Sequence, residues 1–203
     1  MLPTTNQRNS AARQLLNTPA NLRFVLLVAI TLIAAAFRLI PHPPNFAPIG
    51  AIALFGGAYF RSRLAAFAVP LCAMAISDML IGTHANMTFV YGGFALVVLL
   101  GAGMRQARQI GNSSFFKSTA LVCLSALAAS VVFYVVSNFG VWLVGTIYPK
   151  TIAGLVTCYI AALPFFQYTV AGDLFYTATM IGTFELLSRQ FSLLRPQRSG
   201  LPA

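Results

Sequence analysis

Residues Tyr159 to Tyr176 read YIAALPFFQYTVAGDLFY, and this stretch sets one carboxylate, Asp173, in a chain almost free of acid. It reads as a break between two helices. Pro164 ends a short apolar helix, because proline lacks the backbone N–H that a helix interior uses. The cluster Phe165, Phe166 and Tyr168 follows, and Gly172-Asp173 then opens a last helix that runs to Leu187. A carboxylate in a first turn faces the positive end of the helix dipole and unpaired backbone N–H groups. Asp173 is thus either a capping residue with no other role or the first residue of a site.

Composition fixes the class. The chain has 203 residues, 58% hydrophobic and 8% charged, with a mean hydropathy of +0.79; soluble domains carry about 25% charged residues. An integral membrane protein is expected. Thirteen Lys and Arg oppose only Asp78, Asp173 and Glu185, for a net charge of +10. The basic residues stand singly or in pairs between apolar runs, as in the cytoplasmic loops of a polytopic protein. No continuous basic stripe exists, which argues against nucleic acid as a partner. Cys72, Cys123 and Cys158 are scattered in apolar surroundings without a CxxC spacing and read as small core residues. With only His42 and His84 to add ligands, neither a metal nor another cofactor is expected.

Residues 1–21 are polar and predict a disordered cytoplasmic tail, 22–190 a single membrane domain, and 191–203 a basic cytoplasmic tail. Five segments predict ordinary spans: Leu22 to Ile40, Leu64 to Gly82, Met87 to Met104, Phe115 to Val136 and Gly172 to Leu187. Phe46 to Phe60 is a shorter apolar segment, only about 22 Å long as a helix, counted as a further crossing with interfacial turns or a thinned bilayer. Thr151 to Leu163 falls short of the roughly 20 residues a crossing needs. The expected fold is therefore all-α and polytopic, with six transmembrane helices plus a short re-entrant or interfacial helix before the last span. With the N-terminus cytoplasmic, eleven Lys and Arg lie inside and two, Arg38 and Lys150, outside. A seventh crossing would carry the C-terminal arginines out, so both termini are expected inside the plasma membrane.

This topology gathers the polar residues at one leaflet. Arg38, His42 and Asn45 fall at the outer end of the first helix, and Asp78 and His84 at that of the third. Asn138, Trp142, Tyr148 and Lys150 belong to an outer link, and Gln167, Tyr168, Asp173 and Tyr176 to the start of the last helix. Ionisable groups within spans cost at least about 2.5–3.5 kcal/mol, so they face a partner or a cavity. One outward pocket for a small molecule accounts for them together; the plainer account is an Arg38 pair with Asp78 or Asp173, with Trp and Tyr as interfacial aromatics. Asp173, Tyr176 and Thr177 share a helix face, which Thr169 extends if the helix reaches it.

The segments RLIPHPPNFAPIGAIALFGGAYF (38–60), AMAISDMLIG (73–82), SNFGVW (137–142), YPKTIAGLVTCYIAALPFF (148–166) and AGDLFY (171–176) resemble an uncharacterised bacterial membrane-protein family described as transport proteins. That family is in turn similar to the substrate-binding S components of energy-coupling-factor vitamin transporters. The resemblance implies a subunit that captures a vitamin-like solute near the outer face and docks on a transmembrane coupling subunit driven by ATPases. The chain has no phosphate-binding glycine-lysine loop of its own. S components carry an alanine-x-x-x-alanine docking face on their first helix; here Ala47 and Ala51 supply that spacing on the second segment.

The expected function is non-enzymatic solute capture, with the bilayer and a small molecule as partners. The alternatives are a stand-alone proton-coupled transporter using Asp173, a structural membrane protein, and an intramembrane enzyme in which Asp78 and Asp173 share a proton.

Overall fold

The computed structural model describes residues 19–83, 85–110, 115–191 and 194, and among these all regular structure is helical. Helix α1 (Pro19–Ala36) leads through a single 3-10 turn, Phe37–Leu39, into an irregular stretch ending at Pro48. Helices α2 (Ile49–Tyr59), α3 (Arg63–Ile81), α4 (Met87–Ile110), α5 (Phe115–Val144) and α6 (Ile152–Gln190) follow. Five of the six are long and apolar enough to cross a membrane; α2 is not.

The short helix is the centre of the molecule. Every residue from Gly50 to Phe60 is buried, and α2 packs against all five other helices. Its small residues permit this. A Cβ on Gly57 would overlap the Val98 carbonyl of α4, and one on Gly101 of α4 would overlap the Leu54 carbonyl of α2. Two backbones thus meet through reciprocal glycines, the close approach on which membrane helices rely. Gly56 similarly receives the ring of Pro70, so the proline inside α3 fills a notch. At 11 residues α2 rises only about 16 Å. The expected second crossing is therefore a core helix too short to span alone, with irregular backbone at either end. Such backbone is tolerated at membrane depth where protein buries it or a cavity adjoins it.

Two expectations are corrected. Pro164 does not break the chain, and no separate short helix covers 151–163: α6 is one helix of 39 residues with Pro164 inside it. Helix α5 braces both sides of the proline. Tyr134 donates to the Tyr159 carbonyl at 2.6 Å, Tyr159 donates to the Val135 carbonyl at 2.7 Å, and the Tyr134 ring lies 4.8 Å from that of Phe166. Likewise α5 continues past Val136 to Val144, through the region read as an irregular link. Asn138 is absorbed by bonding the Tyr134 carbonyl one turn back at 2.8 Å, and Gly140 makes room for Asn86 and Phe89. At about 58 Å, α6 is nearly twice the thickness of a bilayer core, so the α5–α6 hairpin extends beyond it.

The opposite end of the bundle carries its own polar cluster. The Tyr59 hydroxyl donates to Glu185 and accepts from Arg108, each at 2.8 Å, while Arg108 pairs directly with Glu185. Arg23 lies 4.9 Å from the Phe184 ring centre and donates to the Leu194 carbonyl at 3.2 Å. Between the two ends the outer surface is apolar, with Leu32, Ile33, Ile76, Leu80, Leu99 and Leu124 exposed.

Candidate functional site

Asp173 does not open its own helix. It lies in the middle of α6 and caps a different one. The backbone N–H groups of Gly50 and Ala51, in the first turn of α2, donate to its carboxylate. Ser130 of α5 donates to its Oδ2 at 2.6 Å. Gly50 is required here, because a Cβ would overlap the carboxylate. The preceding Gly172 lets the backbone of α6 approach Phe46 and Ala47. The Gly-Asp pair therefore serves close packing and trans capping at once, and leaves Asp173 only 2% exposed.

Arg38, just beyond the end of α1, reaches α3. Its Nη2 pairs with Asp78 Oδ1 at 2.7 Å, and its Nη1 bonds the Ser77 hydroxyl and approaches Met74 Sδ at 3.4 Å. Tyr91 of α4 donates to the other Asp78 oxygen at 2.7 Å. Asp78 is thus an anchor, 4% exposed, that fixes the guanidinium.

Between these two acid centres lies a cavity of about 260 Å³. Arg38, His42, Asn45 and Asp173 line it, together with Thr169, Gly50 and an apolar wall of Ala47, Ile49, Ile81 and Phe133. The irregular 40–48 stretch supplies one side, where Asn45 adopts a left-handed φ of 65°, a conformation asparagine tolerates better than most residues. Phe133 is held by stacking on Phe94, with ring centres 5.2 Å apart.

The other expected site residues lie elsewhere. Asp78 stands behind Arg38 and is not part of the lining. Trp142 donates to the Pro149 carbonyl at 2.9 Å, and Lys150 bonds the Trp142 and Gly145 carbonyls. Both therefore close the tip of the α5–α6 hairpin, and Tyr148 belongs to the same turn. Trp142 lies nine residues beyond Phe133, about 13 Å along the helix. Asn138 is engaged within α5, and Gln167 and Tyr168 are exposed on α6. Tyr176 packs against Phe46 and Phe37, with ring centres 5.6 and 6.4 Å away. His84, and the terminal tails with Arg8, Arg13, Arg195 and Arg198, fall outside the described residues. Ala51 is fully buried, so the Ala47–Ala51 spacing offers no external docking face.

Ser130, Tyr91 and Phe133 were not singled out from the sequence. A serine or an aromatic inside a long apolar run carries no periodic signal, and only the neighbouring helix gives it a role. Among the described residues no group of three or more His, Cys, Asp or Glu could hold a metal ion.

A buried short helix wrapped by five membrane-length helices, with a cavity of mixed polar and apolar lining at one end, defines a helical bundle of membrane type. Residues 18–197 match the family model described as "Family of unknown function (DUF6580)", and the chain belongs to that family. No curated protein and no solved structure matches the chain at a significant level.

Proposed function

We propose that this protein is a membrane transport protein that captures a small solute in the cavity between Arg38 and Asp173. The observation that carries the reading is the cavity itself, about 260 Å³ and lined by four polar or charged residues expected from the sequence to meet there. Ligand sites combine apolar walls with a few convergent polar groups, and Phe133, Ile49 and Ile81 supply the walls. Capture from the outer face follows from the charge bias of the loops. The resemblance to S components supports a subunit that binds its solute and relies on a separate energised partner. Asp78, bonded to Arg38 and Tyr91, fits a structural anchor better than one of two carboxylates sharing a proton.

A thermal-unfolding screen of the purified protein against vitamins, nucleobases, amines and metal ions tests this, since binding to the folded state raises its apparent stability. At least one solute is expected to raise the midpoint saturably. That effect should disappear in Thr169→Phe, which fills the cavity from α6. A hit equally strong in the filled variant contradicts the reading.

A second reading, a stand-alone proton-coupled transporter, is favoured by one observation: Asp173 is a cavity-lining acid within a span. Uptake abolished by a protonophore in vesicles holding only this protein supports it; uptake that persists rejects it.

A further inference from the structure

We infer that the cavity selects small protonated amines, a conclusion that rests on the solute-binding reading and specifies its substrate class. Arg38 is neutralised by Asp78, and its Nη groups are directed at Asp78 and Ser77. Asp173 has no such partner, for among the described residues no Lys, Arg or His lies within ion-pair distance of it. Its compensation comes from the first turn of α2 and the Ser130 hydroxyl. A helix N-terminus is equivalent to only about half a positive charge. Among the described residues Asp173 is therefore the lining ion that lacks a counter-ion of its own.

Asp173 also keeps hydrogen-bonding capacity. A carboxylate offers about four acceptor positions, and three donors reach Asp173, which leaves one. Thr169 directs its hydroxyl at the Phe165 carbonyl at 3.4 Å and presents lone pairs. His42 Nδ1 lies 3.0 Å from the Pro43 carbonyl. That nitrogen donates, because a carbonyl can only accept. Asp173 and Thr169 thus offer acceptors beside the N–H donors that Arg38 and Asn45 bring to the lining, and an ammonium group, with three donors and no acceptor, suits the Asp173 side. A volume just below the usual 300–1,000 Å³ range of ligand pockets limits the rest of the molecule to a short apolar body.

Three probes of one shape test this on the full chain in detergent: benzylamine, benzyl alcohol and benzoate, each titrated by isothermal calorimetry. Benzylamine is expected to bind at least about tenfold more tightly than either of the others, the usual worth of a charge-assisted hydrogen bond. That preference should collapse in Asp173→Asn, and all binding should vanish in Thr169→Phe. Because Asp173→Asn also touches the cap of α2, Asn45→Asp is the companion variant. It adds a carboxylate at the exposed rim and should tighten benzylamine relative to benzyl alcohol; an unchanged or weaker ratio overturns the inference. Benzoate binding as well as benzylamine, and lost in Thr169→Phe, overturns the amine preference while the cavity still binds a solute. If none of the three probes binds while a vitamin or nucleobase does, the amine class is rejected and the solute-binding reading stands.

Discussion

Asp173, in the middle of α6, caps the first turn of α2 at Gly50, a residue 123 positions earlier in the chain. The contact joins the last helix to the central one at the floor of the cavity, so fold and site depend on the same two residues. Gly50→Ala forces a methyl group into the carboxylate. A loss of about 1–3 kcal/mol is expected from overpacking, read as a lower midpoint in denaturant unfolding. Gly103→Ala, where a Cβ meets open space, should be neutral or slightly stabilising, as alanine favours helix by up to about 1 kcal/mol. Equal losses in both would show that the Asp173 contact is unimportant.

The Arg38–Asp78 pair is buried, with side chains 11% and 6% exposed. Removing either partner strands the other charge in an apolar bundle. Arg38→Met and Asp78→Leu should each cost about 3–5 kcal/mol. The double variant should cost markedly less than the sum, because no unpaired ion remains. A double-mutant cycle in detergent measures this, and strict additivity would mean that the two side chains do not interact.

At the opposite end the pair Arg108–Glu185 is more open, at 27% and 35% exposure. Arg108→Gln and Tyr59→Phe should therefore each cost only about 1 kcal/mol. Single substitutions there should be at least about 2 kcal/mol milder than at Arg38. The reverse order would place the principal electrostatic lock at the Glu185 end.

The membrane class is legible in the sequence, and Arg38, His42, Asn45 and Asp173, four of the residues expected at one outer pocket, line one space; the pairing of Arg38 with an acid belongs to the plainer alternative account. Each rests on a local signal: apolar runs, a scarcity of acid, and ions at helix ends. The long-range relationships were not legible. Pro164 reads as a helix stop because its own chemistry disfavours helix; Tyr134 and Tyr159, brought together only by the α5–α6 hairpin, hold the helix through it. Asp173 next to glycine reads as a local cap, whereas it caps a distant helix. Trp142 and Lys150 look like ligand-binding groups until the hairpin turn engages both. The burial of α2 was hidden by its apolar composition, which suits a core helix and a short crossing equally.

The proposed orientation, which rests on the loop charges, is checked by accessibility. In a background with Cys72, Cys123 and Cys158 replaced by serine, Lys150→Cys is expected to react with a membrane-impermeant maleimide on intact cells. Arg189→Cys should react only after permeabilisation. The opposite pattern would place the hairpin and the cavity in the cytoplasm and remove capture from outside.

Native mass spectrometry of the protein released from a mild detergent tests the central claim most directly. The account predicts a saturable one-to-one adduct with the strongest hit of the stability screen on the wild-type chain, and its absence from Thr169→Phe at the same folded yield. An adduct of equal occupancy on both proteins would contradict the assignment of the cavity between Arg38 and Asp173 as the solute site.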